Sequence, residues 1–274
     1  MDRRRFLALA AAGLSLPATR PAAAATRSPF IDDLTWIEVR DAVHAGANIA
    51  IVPTGGSEEN GPHMAIGKHN FIVHHCAGEI ARRVGNALVA PVVAYVPEGN
   101  FEPPTDNMAL PGTIGVSEPT FAAVLREAAQ SLALAGFRLI CFIGDHGLSQ
   151  ASQAHVAAAL TRQWRKSGVR VATIDRYYAA DGEREWLKTN GYSDAEIGLH
   201  AGLLDTAELM AIEPGAVRGA LLSPKGWPEG RTGASGDPSR ATAAIGEKLL
   251  EFKIAAAVAE IRELVASMPA SPRD

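Results

Sequence analysis

Three short stretches of this sequence concentrate side chains that can hold a metal ion or move a proton. The first is Gly56-Ser57-Glu58-Glu59-Asn60-Gly61-Pro62-His63, with His69 shortly after it. The second is Gly144-Asp145-His146-Gly147, and the third is His200-Ala201-Gly202 followed by Asp205. One carboxylate and two imidazoles drawn from such stretches can hold a zinc-like ion and leave a position open for water. Such an ion lowers the pKa of bound water and polarises a carbonyl. No compact ligand motif such as H-E-x-x-H is present. Taken alone, the residues therefore leave two readings open: a metal site, or polar loops that bind a substrate directly.

Each stretch follows an element able to position it. Asn48 to Val52 reads as an apolar strand running into Pro53-Thr54-Gly55-Gly56, ahead of Glu58. Phe137 to Ile143 is a second strand, ahead of Asp145 and His146. Ala87 to Tyr95 and Val169 to Ile174 read as further strands, with Pro91 marking a kink or edge. Helical periodicity covers Asn70 to Val84, Ser117 to Ala135 and Ser149 to Lys166, with Ser117 as N-cap and Pro119 in the first turn. Shorter helices are expected at Glu183 to Lys188, Ala195 to Leu199 and Leu203 to Ala211, and a long one at Ala241 to Ala266. Strands alternating with long helices predict a parallel sheet covered on both faces. Such sheets bind ligands at the C-terminal ends of their strands. Polar groups placed directly after buried strands are costly unless used. Ser223 to Thr242, with Trp227, reads as a long ordered loop serving a site.

Composition sets the class. The chain is 47% hydrophobic and 20% charged, an ordinary globular mixture, and its net charge of −4 gives no footing for nucleic acid. Cys76 and Cys141 both fall in apolar segments and read as buried free thiols. Arg3-Arg4-Arg5-Phe6-Leu7, an apolar run to Leu16 and small residues at Ala22 to Ala25 predict a twin-arginine-type signal over residues 1–25. The apolar run is too short to span a bilayer, which needs about 20 residues. The expected product is a periplasmic protein with no stable membrane insertion after cleavage, its single α/β domain covering residues 26–274.

Five motifs in order resemble the creatininase family, the creatinine amidohydrolase-like proteins. The family's E-x-H-G-P-H stands here as Glu58 to His63, with His69 at the position of a following Asp. F-P-G-T stands as Leu110-Pro111-Gly112-Thr113, and N-G-H-G as Gly144 to Gly147. H-A-G-x-x-E-T-S stands as His200 to Ala207, and G-D-P-S-x-A-T is intact from Gly236 to Thr242. The resemblance implies a three-layer α/β/α fold with a mostly parallel central sheet. It also implies a closed homo-oligomer such as a hexamer, and amide C–N hydrolysis at a two-metal centre. In such centres an Asp bridges two ions. One ion is also held by a Glu and a His; the other by the His of the first motif and a further carboxylate.

This sequence departs from that pattern coherently. Glu58 and His146 match the ligands of one ion. Asn60 stands where the second ion's His would be, His69 replaces the bridging Asp, and Leu148 stands where some members carry a Glu. A neutral imidazole offers one lone pair and cannot bridge. The expectation is one divalent ion per chain, zinc with Mn2+ or Fe2+ as alternatives, at Glu58, His69 and His146. His200 and Asp205 are candidates for proton transfer, with Asp205 alternatively a ligand or a group supporting one. His63 is a candidate for substrate contact, a fourth ligand or a loop brace. The expected activity is hydrolysis of a small cyclic amide or lactone by activated water. The alternatives are a metal-dependent isomerase or lyase acting on a small carbonyl compound, and an exported binding protein without turnover.

Overall fold

The computed structural model describes residues 28–268, so the signal expected at residues 1–25 lies outside the described residues. Four strands form one parallel sheet: β1 (Ile49–Thr54), β2 (Ala87–Val89), β3 (Leu139–Gly144) and β4 (Arg170–Thr173), in the order β2-β1-β3-β4. β1 and β3 are buried at every position. They can therefore be apolar throughout, as a sheet covered on both faces requires.

Alternation along the strands divides the core. Ile49, Ile51, Leu139, Cys141 and Ile143 face α2 (Lys68–Val84) and the long α8 (Ala243–Ser267). Ala50, Val52, Ile140 and Phe142 face α3 (Glu118–Leu134) and α4 (Gln150–Gln163). The result is the expected α/β/α sandwich. Each fully buried Leu, Ile or Phe stabilises it by roughly 1.5–3 kcal/mol. α3 begins as the sequence signals: Ser117 accepts from the Thr120 N–H with Pro119 in the first turn. α8 starts at Ala243 instead of the expected Ala241, because Thr242 caps it by accepting from the Ile245 N–H. The remaining helices are α1 (Trp36–His44), α5 (Glu183–Thr189), α6 (Asp194–Ile197) and α7 (Leu203–Ile212). The sequence reading missed α1, which opens on a capping box between Thr35 and Glu38.

One expected strand is shorter. β2 ends at Val89 instead of reaching Tyr95. Pro91 has no N–H to give the ladder, although Val93 resumes a single parallel bridge to Thr54. α4 also stops at Gln163, before the expected Lys166. Cys76 and Cys141 are free and buried, as expected. Among the described residues no helix is long and apolar enough to cross a membrane.

Candidate active site

β1 and β3 pair in register as far as Thr54 and Gly144, so the loops leaving them open on the same edge of the sheet. Glu58 comes from the first loop and His146 from the second. His69 comes from the first turn of α2, which starts at Lys68 without a side-chain cap. Glu58 Oε1 lies 2.6 Å from His69 Nε2, and its Oε2 lies 2.9 Å from His146 Nε2. One ligand atom from each residue falls within 4.8 Å of the others, and all three side chains are buried.

His69 is braced from behind. Its Nδ1–H donates to Asp145 Oδ2 at 2.7 Å, which turns Nε2 toward Glu58. A carboxylate on the far nitrogen is the usual support of a metal-ligating imidazole. Asp145 is itself held by Tyr177 Oη at 2.9 Å and Lys253 Nζ at 3.1 Å. Burial works to raise the Glu58 pKa. The charge of His69, hydrogen bonds from both imidazoles and the charge of Lys68 outweigh it, keeping the group well below the usual carboxylate range. For His146, burial pulls downward, but hydrogen bonds to Glu58 and Glu98 prevail and push its pKa up to about 9. Two imidazole nitrogens converging on one ionised carboxylate form a donor set that suits a divalent ion. Asn60 adds nothing to that set through its amide nitrogen, which donates to the carbonyls of Glu58, Ala65 and Ile66.

Three further residues complete the cluster, and little in the sequence marks them. Glu98 is fully buried, and its Oε2 lies 3.0 Å from His146 Nε2. Its Oε1 has no hydrogen-bond partner. Asn107 donates to Glu58 Oε2 and, at 2.9 Å, to Glu98 Oε2. Both stand in the irregular segment between β2 and α3, where no periodicity marks them. Lys68 looks like an ordinary helix-start lysine. Its ammonium is nevertheless buried, 3.0 Å from Asp205 Oδ2 and 3.6 Å from Glu58 Oε1.

The cluster lies on a cleft of about 610 Å³ lined also by His200, Asp205, Leu148, Tyr178, Leu199 and Arg231. His200 Nε2 donates to the Glu59 carbonyl at 2.6 Å. That fixes the tautomer and leaves Nδ1 as an acceptor, 3.5 Å from Glu58 Oε1. Burial, then the charge of Lys68, lowers the pKa of His200. Asp205 accepts from the Ala201 N–H and holds Ala201 at φ +52°, a left-handed conformation that costs a non-glycine residue energy. Gly198, at φ +70°, lets the same turn pass against Ser235: a Cβ there would meet the Ser235 carbonyl oxygen at 1.8 Å. His63 is not brought to the cleft. It is buried, with Nε2 2.9 Å from Thr206 Oγ1 and its ring stacked on Trp227. Burial lowers its pKa to about 4, with Lys68 adding to the effect against an opposing pull from Asp205. In this position it braces the 218–233 segment, whose Arg218 N–H binds the His63 carbonyl at 2.7 Å.

Comparisons with known proteins agree with this architecture. The sequence profile of the family Creatininase (creatinine amidohydrolase) matches residues 32–261. The mycofactocin precursor peptide peptidase of Mycolicibacterium smegmatis is 27% identical over 76% of this chain and 81% of its own length. The creatinine amidohydrolase of Pseudomonas putida is 24% identical over 70% of this chain and 75% of its own. Among solved structures, a mutant creatininase of Zn-Zn type superposes with a TM-score of 0.72 at 22% identity, over 87% of this chain and 99% of that one.

Proposed function

As a member of the creatininase family, this chain is, we propose, a metal-dependent hydrolase that uses one divalent ion to cleave a small cyclic amide or lactone. The observation that carries the reading is the convergence of Glu58, His69 and His146 within 4.8 Å at the floor of the cleft. Amide cleavage is favoured because both named relatives, an amidohydrolase and a peptidase, act on C–N bonds.

A divalent ion held by Glu58, His69 and His146 supplies, when bound, a water of lowered pKa and an electrophile for a carbonyl. The rest is done by the chain. Asp145 orients His69 by accepting its Nδ1–H. The Glu59 carbonyl orients His200 by accepting its Nε2–H. Nδ1 of His200 is then the acceptor that takes a proton from the attacking water and returns it to the leaving nitrogen or oxygen. Its lowered pKa keeps it neutral, and so able to accept, at neutral pH. Asp205 serves by holding Lys68 and the backbone beside His200.

The test is elemental analysis after exhaustive dialysis, paired with a hydrolysis screen on small cyclic amides and lactones. The wild-type chain should keep about one equivalent of metal and turn over at least one compound. His146→Ala should lose at least ~100-fold in metal affinity, beyond what loss of a supporting group costs, and lose turnover with it. Unchanged metal content in His146→Ala would overturn the reading.

A further inference from the structure

The site contains a cation of its own, in a position that the two-ion pattern does not foresee. Glu58 has two oxygens with different surroundings. Oε2 faces His146 and Asn107, whereas Oε1 faces His69 and, at 3.6 Å, the Lys68 ammonium. On its other side Lys68 meets Asp205 at 3.0 Å. The Lys68 side chain is 1% exposed. The ammonium therefore lies between two carboxylates in a water-poor pocket, as a second ion would.

The groups a second ion would need are missing or engaged elsewhere. Asn60 turns its amide nitrogen onto backbone carbonyls, and its buried, unpaired Oδ1 offers one neutral oxygen where an imidazole would stand. His69 has its Nδ1 committed to Asp145, which leaves Nε2 alone for the first ion and nothing for a second. Leu148 offers no ligand atom. A second divalent ion on the Oε1 side of Glu58 would also press against a fixed positive charge in a medium that screens poorly. The residues do not fit a second ion.

Resting on the one-metal reading above, we infer that Lys68 replaces the second metal ion of this site, neutralising Glu58 and Asp205 with a positive charge carried by the chain itself. The geometry gives the replacement a further use. An ammonium has three N–H donors, and the only hydrogen bond the Lys68 ammonium makes among the described residues is to Asp205. Lys68 also lines the cleft. Its remaining donors suit an oxyanion, the species a carbonyl oxygen becomes when water adds to the carbon.

Zinc titration calorimetry of metal-stripped protein tests the replacement without any substrate. The wild-type chain should bind one Zn2+. Lys68→Met removes a like charge beside the ion while leaving its ligands intact, so Zn2+ should bind about tenfold more tightly or better. Zinc should also raise the Tm of this variant by more than it raises the wild-type Tm. A lysine with only a structural role would show the reverse, since a disturbed pocket binds metal more weakly. Should Lys68→Met not fold without metal, Lys68→Gln keeps a donor for Asp205 and drops the charge, and the same tightening is expected. Unchanged or weaker binding in both variants would overturn this inference and leave the hydrolase reading standing; two ions in the wild-type chain would overturn this inference together with the one-ion count. A wild-type chain that binds no Zn2+ would overturn both.

Discussion

On one side of Asp145, Lys253 stands among Asp145, Glu208 and Glu183, at 3.1, 3.1 and 3.9 Å. On the other side, His69 and His146 converge on Glu58. Both clusters are buried and both use Asp145, but their charge is balanced differently. The Lys253 cluster carries its own permanent cation. Burial, then repulsion from Glu208, pushes the Glu183 pKa well above the usual carboxylate range, which eases the excess of negative charge around Lys253. On its Glu98 and His146 side the Glu58 cluster has no fixed cation, only the His146 imidazole and the neutral Asn107 amide. Imidazole nitrogens can exchange a proton for an ion; an ammonium cannot. The difference teaches how to tell a structural charge cluster from a ligand site: by whether its cation is fixed in the chain or can be supplied from solution. Lys68 stands at the border, a fixed cation on one edge of an otherwise open site.

The strongest challenge to this contrast is Lys253→Met. It leaves Asp145 and Glu208 buried without their cation, and breaking a buried pair from one side costs about 3–5 kcal/mol. Thermal unfolding should show a fall in Tm of roughly 10 °C for a chain of this size. An unchanged Tm would mean that the Lys253 cluster is not the structural member of the two.

Asp145→Asn probes the residue the clusters share. The amide keeps the shape but weakens the grip on His69, so Zn2+ affinity should fall about 10- to 100-fold. Its effect on Tm should be smaller than that of Lys253→Met, because Glu208 remains to pair with Lys253. A large loss of stability with intact zinc binding would assign Asp145 wholly to the structural cluster.

The smallest effect is in pH. In metal-stripped protein the folded pKa of His146, about 9, lies above its ordinary value of 6.5. The stability this group contributes is therefore complete below about pH 6.5 and is lost as pH rises through about 9. The Tm of the stripped protein should fall by a few degrees over that window. Zinc should remove the dependence, because it takes the place of the proton, and its binding should release protons near neutral pH. Calorimetry in buffers of different ionisation enthalpy checks the release. A flat Tm profile would mean that His146 does not hold its proton against the ion.

The chain by itself determined the layered fold and the three residues that meet at its edge. Apolar runs such as Leu139 to Ile143, followed directly by Asp145 and His146, mark a buried strand with polar groups at its exit. The caps at Ser117 and Thr242 fix their helices locally. Glu58, His69 and His146 were legible through the motifs that resemble the family, and they can meet because parallel strands open their loops on one edge. Their residue types also limit what they can do there. Pro91 misled the strand boundary only in extent, since a missing N–H interrupts a ladder without moving the chain away from it.

Tertiary structure alone decided the rest. His63 stands within the most recognisable motif, yet the Trp227 loop and Thr206 enclose it away from the cleft. Glu98 and Asn107 come from a segment without periodicity, and only its path over the sheet edge brings them to His146. Nothing beside Lys68 in the sequence sets it apart from a solvated lysine. Its meaning depends on Asp205, 137 residues further along, closing over its ammonium. Local patterns record what the backbone does within a few residues, whereas the charge balance of a buried pocket is a sum over groups that meet only when the chain has folded.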